Sequence, residues 1–211
     1  CRTGDQTPNG ISMVLVEDGQ NGLSFGKKEQ KMGWKAQPTA IVQFDNCSIP
    51  ATNLVGEEGA GFKYAMEGLD GGRLNIAAAS LGGAQKSYEI AKAYSKERSA
   101  FGKPISRFQS IEFKLADMAT QLESARLFLR NAAWKLDNSK PDASVSVAMA
   151  KRLVTDVSFE VSNTALQILG GYGYLEEYGI EKIVRDLRVH QILEGTNEIM
   201  RVIIARAILS E

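Results

Sequence analysis

The chain has little of the chemistry on which metal and thiol enzymes depend. Its 211 residues include one histidine, His190, and two cysteines, Cys1 and Cys47. Two cysteines are too few for a disulfide framework or a zinc site, and His190 has no second histidine with which to share a metal. No serine or cysteine lies in a nucleophile turn of the GxSxG type. We therefore expect no metal site, and we expect His190 to pack against or support other residues.

The chain also lacks an excess of charge and a long apolar run. Lys and Arg together number 25, as do Asp and Glu, so the formal net charge is zero. No basic cluster offers a footprint for a phosphate backbone, and no apolar stretch approaches the ~20 residues that span a bilayer. The first ten residues, CRTGDQTPNG, contain neither a signal-peptide core nor a basic amphipathic presequence. These absences predict a soluble protein that binds neither nucleic acid nor membranes.

The first quarter of the chain carries strand and turn signals. Residues 11–17 and 39–45 are strand candidates, and glycines interrupt the sequence around them. So few strands in a short stretch would leave unpaired edges. We expect residues 1–57 to be the last part of a β domain, with the chain beginning inside it.

Residues 58–211 have the period of helices. Apolar and small residues recur at alternating spacings of four and three, which predicts long amphipathic helices joined by short connections. The predicted helices cover residues 62–94, 111–136, 143–168, 180–189 and 197–209. We expect the first helix to end at Gly102-Lys103-Pro104. The predicted fold is mainly α with a β segment, and the helices form an antiparallel bundle of four or five members.

Glu194 lies in HQILEGTNEIMR (190–201), where an apolar stretch gives way to the last predicted helix. The ordinary interpretation is a first-turn acid or a solvated linker residue. Two apolar residues precede it, and a carboxylate in apolar surroundings resists ionisation, which suits a general base. Gly195 would give a ligand access, while Thr196 with Glu198 would cap the helix. The residues alone leave both interpretations of Glu194 open.

Five segments together resemble the acyl-CoA dehydrogenases, flavoenzymes that introduce a double bond between the α and β carbons of an acyl thioester. They are LVGEEGAGFKYAMEGLDGGR (54–73), ERSAFGKPISRFQ (97–109), LADMA (115–119), QILGGYGY (167–174) and RDLRVHQILEGTNEI (185–199). Each motif is weak alone, but their order and spacing are specific. The resemblance implies that residues 1–57 are the end of the middle β domain of that family and that 58–211 are its C-terminal helical bundle.

The resemblance assigns a catalytic role to Glu194. In that family the glutamate of the EGT segment is the base, which removes the α proton of an acyl-CoA while FAD takes a hydride from the β carbon. The oxygen of the thioester is stabilised by a backbone N–H at this glutamate and by a flavin hydroxyl. Two other functions stay open. An acyl-CoA oxidase would keep the same fold, base and FAD but pass its electrons to oxygen, and a non-catalytic helical scaffold would need none of these residues.

The resemblance also implies binding residues. Those expected to bind FAD are Arg98, Phe101, Phe108, Gln109, Thr196 and Glu198, together with Gln167, Gly170 and Gly171, which meet the cofactor of a neighbouring subunit. Those expected to bind substrate are Asp70, Gly71, Gly72, Arg73 and Gly195. Local roles remain alternatives. Arg98 would serve as a helix-end cation, Arg73 as the partner of a nearby acid, and the glycine pair as a helix stop.

The implied partners are an acyl-CoA substrate, electron-transfer flavoprotein as electron acceptor, and further copies of the chain in a homodimer or homotetramer. The implied location is the mitochondrial matrix of a eukaryote or the cytoplasm of a bacterium. Residues 22–34, 68–73 and 190–198 are most similar to family members that act on isobutyryl-CoA in valine breakdown. Because an apolar pocket separates substrates that differ by one methylene by only ~1–3 kcal/mol, we also expect activity on butyryl-CoA and 2-methylbutyryl-CoA.

Overall fold

The computed structural model describes residues 1–210. These residues contain five α-helices and two small antiparallel sheets, so the predicted fold class is confirmed. The chain divides into two compact units. Unit 1 comprises Cys1–Lys31 and Lys35–Leu69, and unit 2 comprises Met32–Trp34 and the chain from Asp70 onward. The domain boundary expected between residues 57 and 58 stays a prediction.

Unit 1 has little regular structure. β1 (Leu23–Phe25) pairs with β2 (Val42–Phe44) in an antiparallel sheet. β2 lies within the strand predicted at 39–45, but the strand predicted at 11–17 is wrong. Ile11 and Val14 make only isolated bridges, to three separate segments. A run that has no continuous neighbour cannot build the repeating ladder of hydrogen bonds that defines a strand.

The helices lie close to their predicted positions. They are α1 (Gly61–Glu97), α2 (Gln109–Asp137), α3 (Ala143–Leu169), α4 (Ile180–Arg188) and α5 (Asn197–Leu209). α1 begins in unit 1 and continues through unit 2, and the other four belong to unit 2. Among residues 1–210, no helix combines the length and the apolarity that crossing a bilayer requires.

The end of α1 differs from the prediction. The helix stops at Glu97, and a hairpin of β3 (Ser99–Ala100) and β4 (Lys103–Pro104) follows. The two central residues of the hairpin, Phe101 and Gly102, have φ of 52° and 79°. Both values are left-handed, as a type I′ turn requires. The turn leaves Phe101 96% exposed.

The core of unit 2 is built from α1, α2, α3 and α4. α1 contributes small residues to this core, and three of them are fully buried: Ala77, Ala84 and Ala91. The 4-3 spacing of residues 62–94 predicts a single apolar stripe with small residues in its middle, where helix backbones can approach closely, and the alanines confirm that middle part. The start of the predicted stripe is wrong, because Phe62 and Met66 are each 41% exposed and lie in the part of α1 that belongs to unit 1.

His190 is buried in unit 2, with 1% of its surface exposed. Ser80 donates its hydroxyl proton to the carbonyl of Ile76, so its oxygen accepts a hydrogen bond from His190 Nδ1 at 2.6 Å. The imidazole also meets the ring of Trp34 edge-on, with centroids 4.3 Å apart. Burial lowers the pKa of His190 to about 4, so the ring is neutral near neutral pH. These contacts agree with the packing role expected from the sequence.

The burial of His190 predicts an acid-sensitive fold. The unfolded state binds this proton with a pKa near 6.5 and the folded state with a pKa of about 4. The free energy of unfolding should therefore fall as pH drops from 6.5 to 4, by roughly 3 kcal/mol at most. His190→Asn keeps a donor near the Nδ1 position but does not titrate, so it should lose less stability over the same range. Urea unfolding of the whole protein at several pH values tests this, and equal losses in both proteins would contradict it.

Candidate active site

Glu194 adopts a strained backbone between α4 and α5. Its φ is 56°, and Gly195 follows with φ of 86°. A non-glycine residue in a sparsely populated conformation costs about 1–3 kcal/mol, and such residues cluster at functional sites. The helix begins at Asn197, so Glu194 lies three residues before it rather than at its start. The simple first-turn interpretation of Glu194 is therefore wrong.

Thr196 and Glu198 have different local roles. Thr196 is the N-cap of α5, and its Oγ1 accepts a hydrogen bond from the backbone N–H of Ile199 at 3.3 Å. Glu198 does not share in the cap. Its carboxylate lies 3.2 Å from Arg201 Nη1 and its side chain is 79% exposed. Of the predicted pair, only Thr196 caps the helix.

The carboxylate of Glu194 packs against Gly72 of α1. A Cβ atom added at Gly72 would lie 2.5 Å from Glu194 Oε2, closer than real Cβ contacts allow. Glycine inside a helix costs about 1 kcal/mol relative to alanine, so the glycine here is explained by the room it leaves for the carboxylate. Gly72, predicted to touch substrate, therefore contacts the candidate base. Gly71 differs, because nothing in the chain lies within 4 Å of an added Cβ there.

Arg73 forms the acid pair that the sequence left as an alternative. Its Nη1 donates to Asp70 Oδ1 at 2.8 Å, and the two side chains are 11% and 14% exposed. Ser144 of α3 donates a second hydrogen bond to the same carboxylate. Arg73 Nε is buried without an acceptor among residues 1–210. The pair leaves Arg73 one donor that no described group uses.

Sequence reasoning missed a buried polar network beside Glu194. Lys151 of α3 is fully buried, and its Nζ donates to Gly195 O at 2.8 Å and to Asn197 Oδ1 at 2.9 Å. Asn197 Nδ2 donates to Thr155 Oγ1 and to Asp156 Oδ1, at 3.0 and 2.7 Å. Burial lowers the pKa of Lys151 to about 8, and the charge of Asp156 opposes that shift. In the sequence, the only signal for this network is that Lys151 lies next to the apolar positions of the helix predicted at 143–168.

A second group of predicted residues surrounds a cavity of about 480 Å³. Arg98, Gly170, Gly171 and Tyr172 line it, with the Arg98 guanidinium carbon 5.7 Å from the centre of the Tyr172 ring. No acidic side chain among residues 1–210 pairs with Arg98. Gly170 ends α3 with φ of 60°, which makes it the predicted helix stop. The cavity thus combines a cation that no described acid pairs with and two consecutive glycines.

Aromatic and amide side chains flank the same end of α1. The ring of Phe101 meets that of Phe108 at right angles, with centroids 6.1 Å apart. Gln109, the first residue of α2, and Gln167, in the last turn of α3, are exposed. The carbonyl of Arg98 accepts a hydrogen bond from the N–H of Ile105, which joins the hairpin to the helix end.

Apart from Gly71 and Glu198, the predicted site residues form two separate groups. The base group comprises Asp70, Gly72, Arg73, Glu194, Gly195 and Thr196. The cavity group comprises Arg98, Phe101, Phe108, Gln109, Gln167, Gly170 and Gly171. Gly72 and Glu97 lie 25 residues apart on α1, which at about 1.5 Å per residue separates the groups by about 37 Å.

The match to known proteins covers both groups. The family model "Acyl-CoA dehydrogenase, C-terminal domain" matches residues 59–209. The chain belongs to the acyl-CoA dehydrogenase family. Members of this family are FAD-dependent oxidoreductases. The mitochondrial isobutyryl-CoA dehydrogenase of Bos taurus is 52% identical over all of this chain, which covers 51% of that protein.

Two solved structures share the fold of this chain. Butyryl-CoA dehydrogenase from Megasphaera elsdenii matches with a TM-score of 0.93 and 46% identity, over 97% of this chain and 53% of that one. The FAD complex of PigA matches with a TM-score of 0.91 and 32% identity, over 97% of this chain and 53% of that one. The chain spans about half the length of the curated relatives that it matches.

Proposed function

We propose that the whole protein is an FAD-dependent acyl-CoA dehydrogenase of short branched-chain substrates, with Glu194 as its base. The observation that carries the proposal is the left-handed Glu194, whose carboxylate lies against a glycine of α1. A linker residue would need neither the strained backbone nor the glycine opposite it. The left-handed backbone of Glu194 and the space at Gly72 together fix the position of the carboxylate, and proton transfer requires a fixed acceptor.

The residues around Glu194 suit removal of an α proton. The carboxylate accepts that proton, and negative charge develops on the thioester oxygen. Among residues 1–210, the backbone N–H of Glu194 donates to no other group, so it is available to that oxygen. Asp70, Gly71, Arg73 and Gly195 remain proposed substrate contacts. The open space at Gly71 and the unused Nε of Arg73 support this role. FAD, when bound, supplies the acceptor for the hydride of the β carbon.

The cavity group fits the phosphates of FAD. Arg98 carries a charge that no described acid neutralises, and Arg binds phosphate oxygens through charge-assisted hydrogen bonds. An added Cβ at Gly171 would meet nothing within 4 Å, which leaves its backbone open to a ligand. About 37 Å of α1 lies between Gly72 and Glu97, which favours an FAD that meets the cavity group of one chain and the base group of another. We therefore propose that two copies of the chain share each FAD, as a homodimer or a pair of dimers.

Isobutyryl-CoA is the substrate we favour, because a relative of that name is 52% identical over the whole chain. Electron-transfer flavoprotein is the proposed electron acceptor. The proposed location is the mitochondrial matrix if the source is a eukaryote and the cytoplasm if it is a bacterium. An oxidase that passes electrons to oxygen is the second candidate, because it would use the same base and the same cofactor.

The test is a comparison of kcat/KM for the whole protein with isobutyryl-, 2-methylbutyryl-, butyryl-, isovaleryl- and octanoyl-CoA. We expect the highest value with isobutyryl-CoA, and butyryl-CoA within about 10–200-fold of it. A maximum at octanoyl-CoA or isovaleryl-CoA would overturn the substrate but not the reaction. Parallel assays with oxygen and with electron-transfer flavoprotein separate an oxidase from a dehydrogenase. A colourless protein that oxidises no acyl-CoA would favour the scaffold alternative.

A further inference from the structure

We propose that α3 holds Glu194 in its catalytic conformation through a clamp whose main positioning residue is Lys151. The α3 clamp consists of the side chains of Lys151, Thr155, Asp156 and Asn197. The proposal rests on the assignment of Glu194 as the base. Lys151 is a positioning residue for Glu194, because it contacts the segment that carries Glu194 and not the reacting atoms.

The clamp forms hydrogen bonds with the chain on both sides of Glu194. On the far side, Lys151 Nζ bonds the carbonyl of Gly195 and the side chain of Asn197. On the near side, Gln191 Nε2 donates to Asp156 Oδ1 at 2.8 Å. The same Asp156 oxygen accepts from Asn197 Nδ2, so one carboxylate joins the two flanks. The left-handed residues 194 and 195 lie between these anchors, which oppose relaxation to an ordinary backbone.

Lys151 has no role that the fold alone explains. Among residues 1–210 it is the largest fully buried side chain. Val147 and Val154, one turn away on the same helix, are also fully buried. Burying an amine among such residues costs free energy unless hydrogen bonds compensate for the lost water. A lysine kept under these conditions is explained by the acceptors that it binds.

The two bonds of Lys151 do not depend on its charge. Burial lowers its pKa to about 8, so a fraction of the amine is neutral in mildly alkaline solution. A neutral amine still carries two N–H groups, and Nζ has two acceptors, Gly195 O and Asn197 Oδ1. The clamp therefore keeps its geometry in both protonation states. Its effect should come from position, not from charge.

Lys151→Met in the whole protein tests the clamp, because methionine keeps much of the length and none of the donors. We expect kcat per bound FAD to fall tenfold to about 100-fold, the cost of a small misplacement of a reacting group. KM and FAD content should stay close to those of the wild type. The isotope effect of α-deuterated isobutyryl-CoA on kcat should rise, because proton removal then limits the rate more fully.

Ser158→Ala is the matched control. Ser158 lies on the same helix, is fully buried, and its Oγ has no partner among residues 1–210. It should leave kcat and the isotope effect unchanged. Lys151→Met leaves Gly195 O and Asn197 Oδ1 without their donor, so its melting temperature should fall. Turnover is therefore measured well below that temperature and per bound FAD, so that a folding lesion does not explain a loss of rate. Unchanged kcat and isotope effect in Lys151→Met would overturn the positioning role.

Amide hydrogen exchange supplies a readout that does not need activity. Exchange over residues 190–197 should be faster in Lys151→Met than in the wild type and in Ser158→Ala, because the segment has lost its anchors. Unchanged exchange would overturn the clamp itself. If the wild type oxidises no acyl-CoA but the exchange difference appears, the proposed function fails while the clamp stands.

Discussion

Glu194→Gln in the whole protein should lower turnover of isobutyryl-CoA by about 10²–10⁴-fold, the range that one general base contributes. The amide has the size and shape of the carboxylate, so its contact with Gly72 should persist. It cannot accept the α proton, however. FAD content should match that of the wild type, because the cavity group that we assign to the cofactor lies at the other end of α1. Steady-state turnover and the flavin absorbance of the purified variant measure the two quantities.

Glu123→Gln is the control for this change of charge. Glu123 lies on α2, its side chain is 63% exposed, and its carboxylate pairs with Arg126 at 3.3 Å. It should show turnover close to that of the wild type. If Glu194→Gln also retained turnover, Glu194 would not be the base. If it lost FAD together with turnover, its effect would be on binding rather than on proton transfer.

The helices could be predicted because their residues repeat with the period of a helix. The predicted range 197–209 coincides with α5, and the range 143–168 differs from α3 by one residue at its end. The end of α1 could not be predicted in this way. Residues 98–101 continue with side chains that a helix tolerates, yet the helix ends at Glu97, and Phe101 and Gly102 adopt the left-handed turn of a hairpin. Phe101 has no local preference that indicates such a conformation.

The strand predicted at 11–17 failed for a different reason. Alternation of apolar residues gives the preference of one segment, but a strand exists only where a second segment pairs with it. Ile11 finds bridges to Arg2 and Ala60, and Val14 finds one to Leu54. These partners are not continuous with one another. No pattern within residues 11–17 contains that information.

The candidate site was predicted in part. The resemblance of the EGT segment identified Glu194, but the local sequence left it as an ordinary acid. Its contact with Gly72 joins residues that are 122 positions apart, and no periodicity links them. Lys151 looks like any helix-surface cation in the sequence. Only the packing of α3 against the segment before α5 shows that the amine is buried and that it binds Gly195.

The separation of the two groups on α1 leads to the second large effect. We expect Arg98→Ala to release FAD and to be nearly inactive, because a charge-assisted contact to a phosphate is lost. Glu194→Gln should also be nearly inactive, because its amide cannot accept the α proton. If two copies of the chain share each site, co-expression of the two variants should restore activity. A site that takes Glu194 from one chain and Arg98 from the other then has both residues intact.

The expected recovery follows from random pairing of the two variants in a symmetric dimer. Roughly a quarter of the sites receive both intact residues, so the mixture should regain about a quarter of wild-type turnover per chain. A site built within one chain would regain none, because every chain carries one of the two changes. Turnover of the co-expressed mixture, compared with that of each variant alone, distinguishes the two arrangements.

A chain that carries both changes, co-expressed with the wild-type chain, provides the reciprocal control. If each site is shared, an intact site needs two wild-type chains, so roughly a quarter of the sites should be active. If each site lies within one chain, half of the chains are wild type and about half of the activity should remain. The shared arrangement therefore predicts similar turnover in both mixtures. The single-chain arrangement predicts no turnover in the first mixture and about half in the second, and that pair of results would contradict a site divided between two copies.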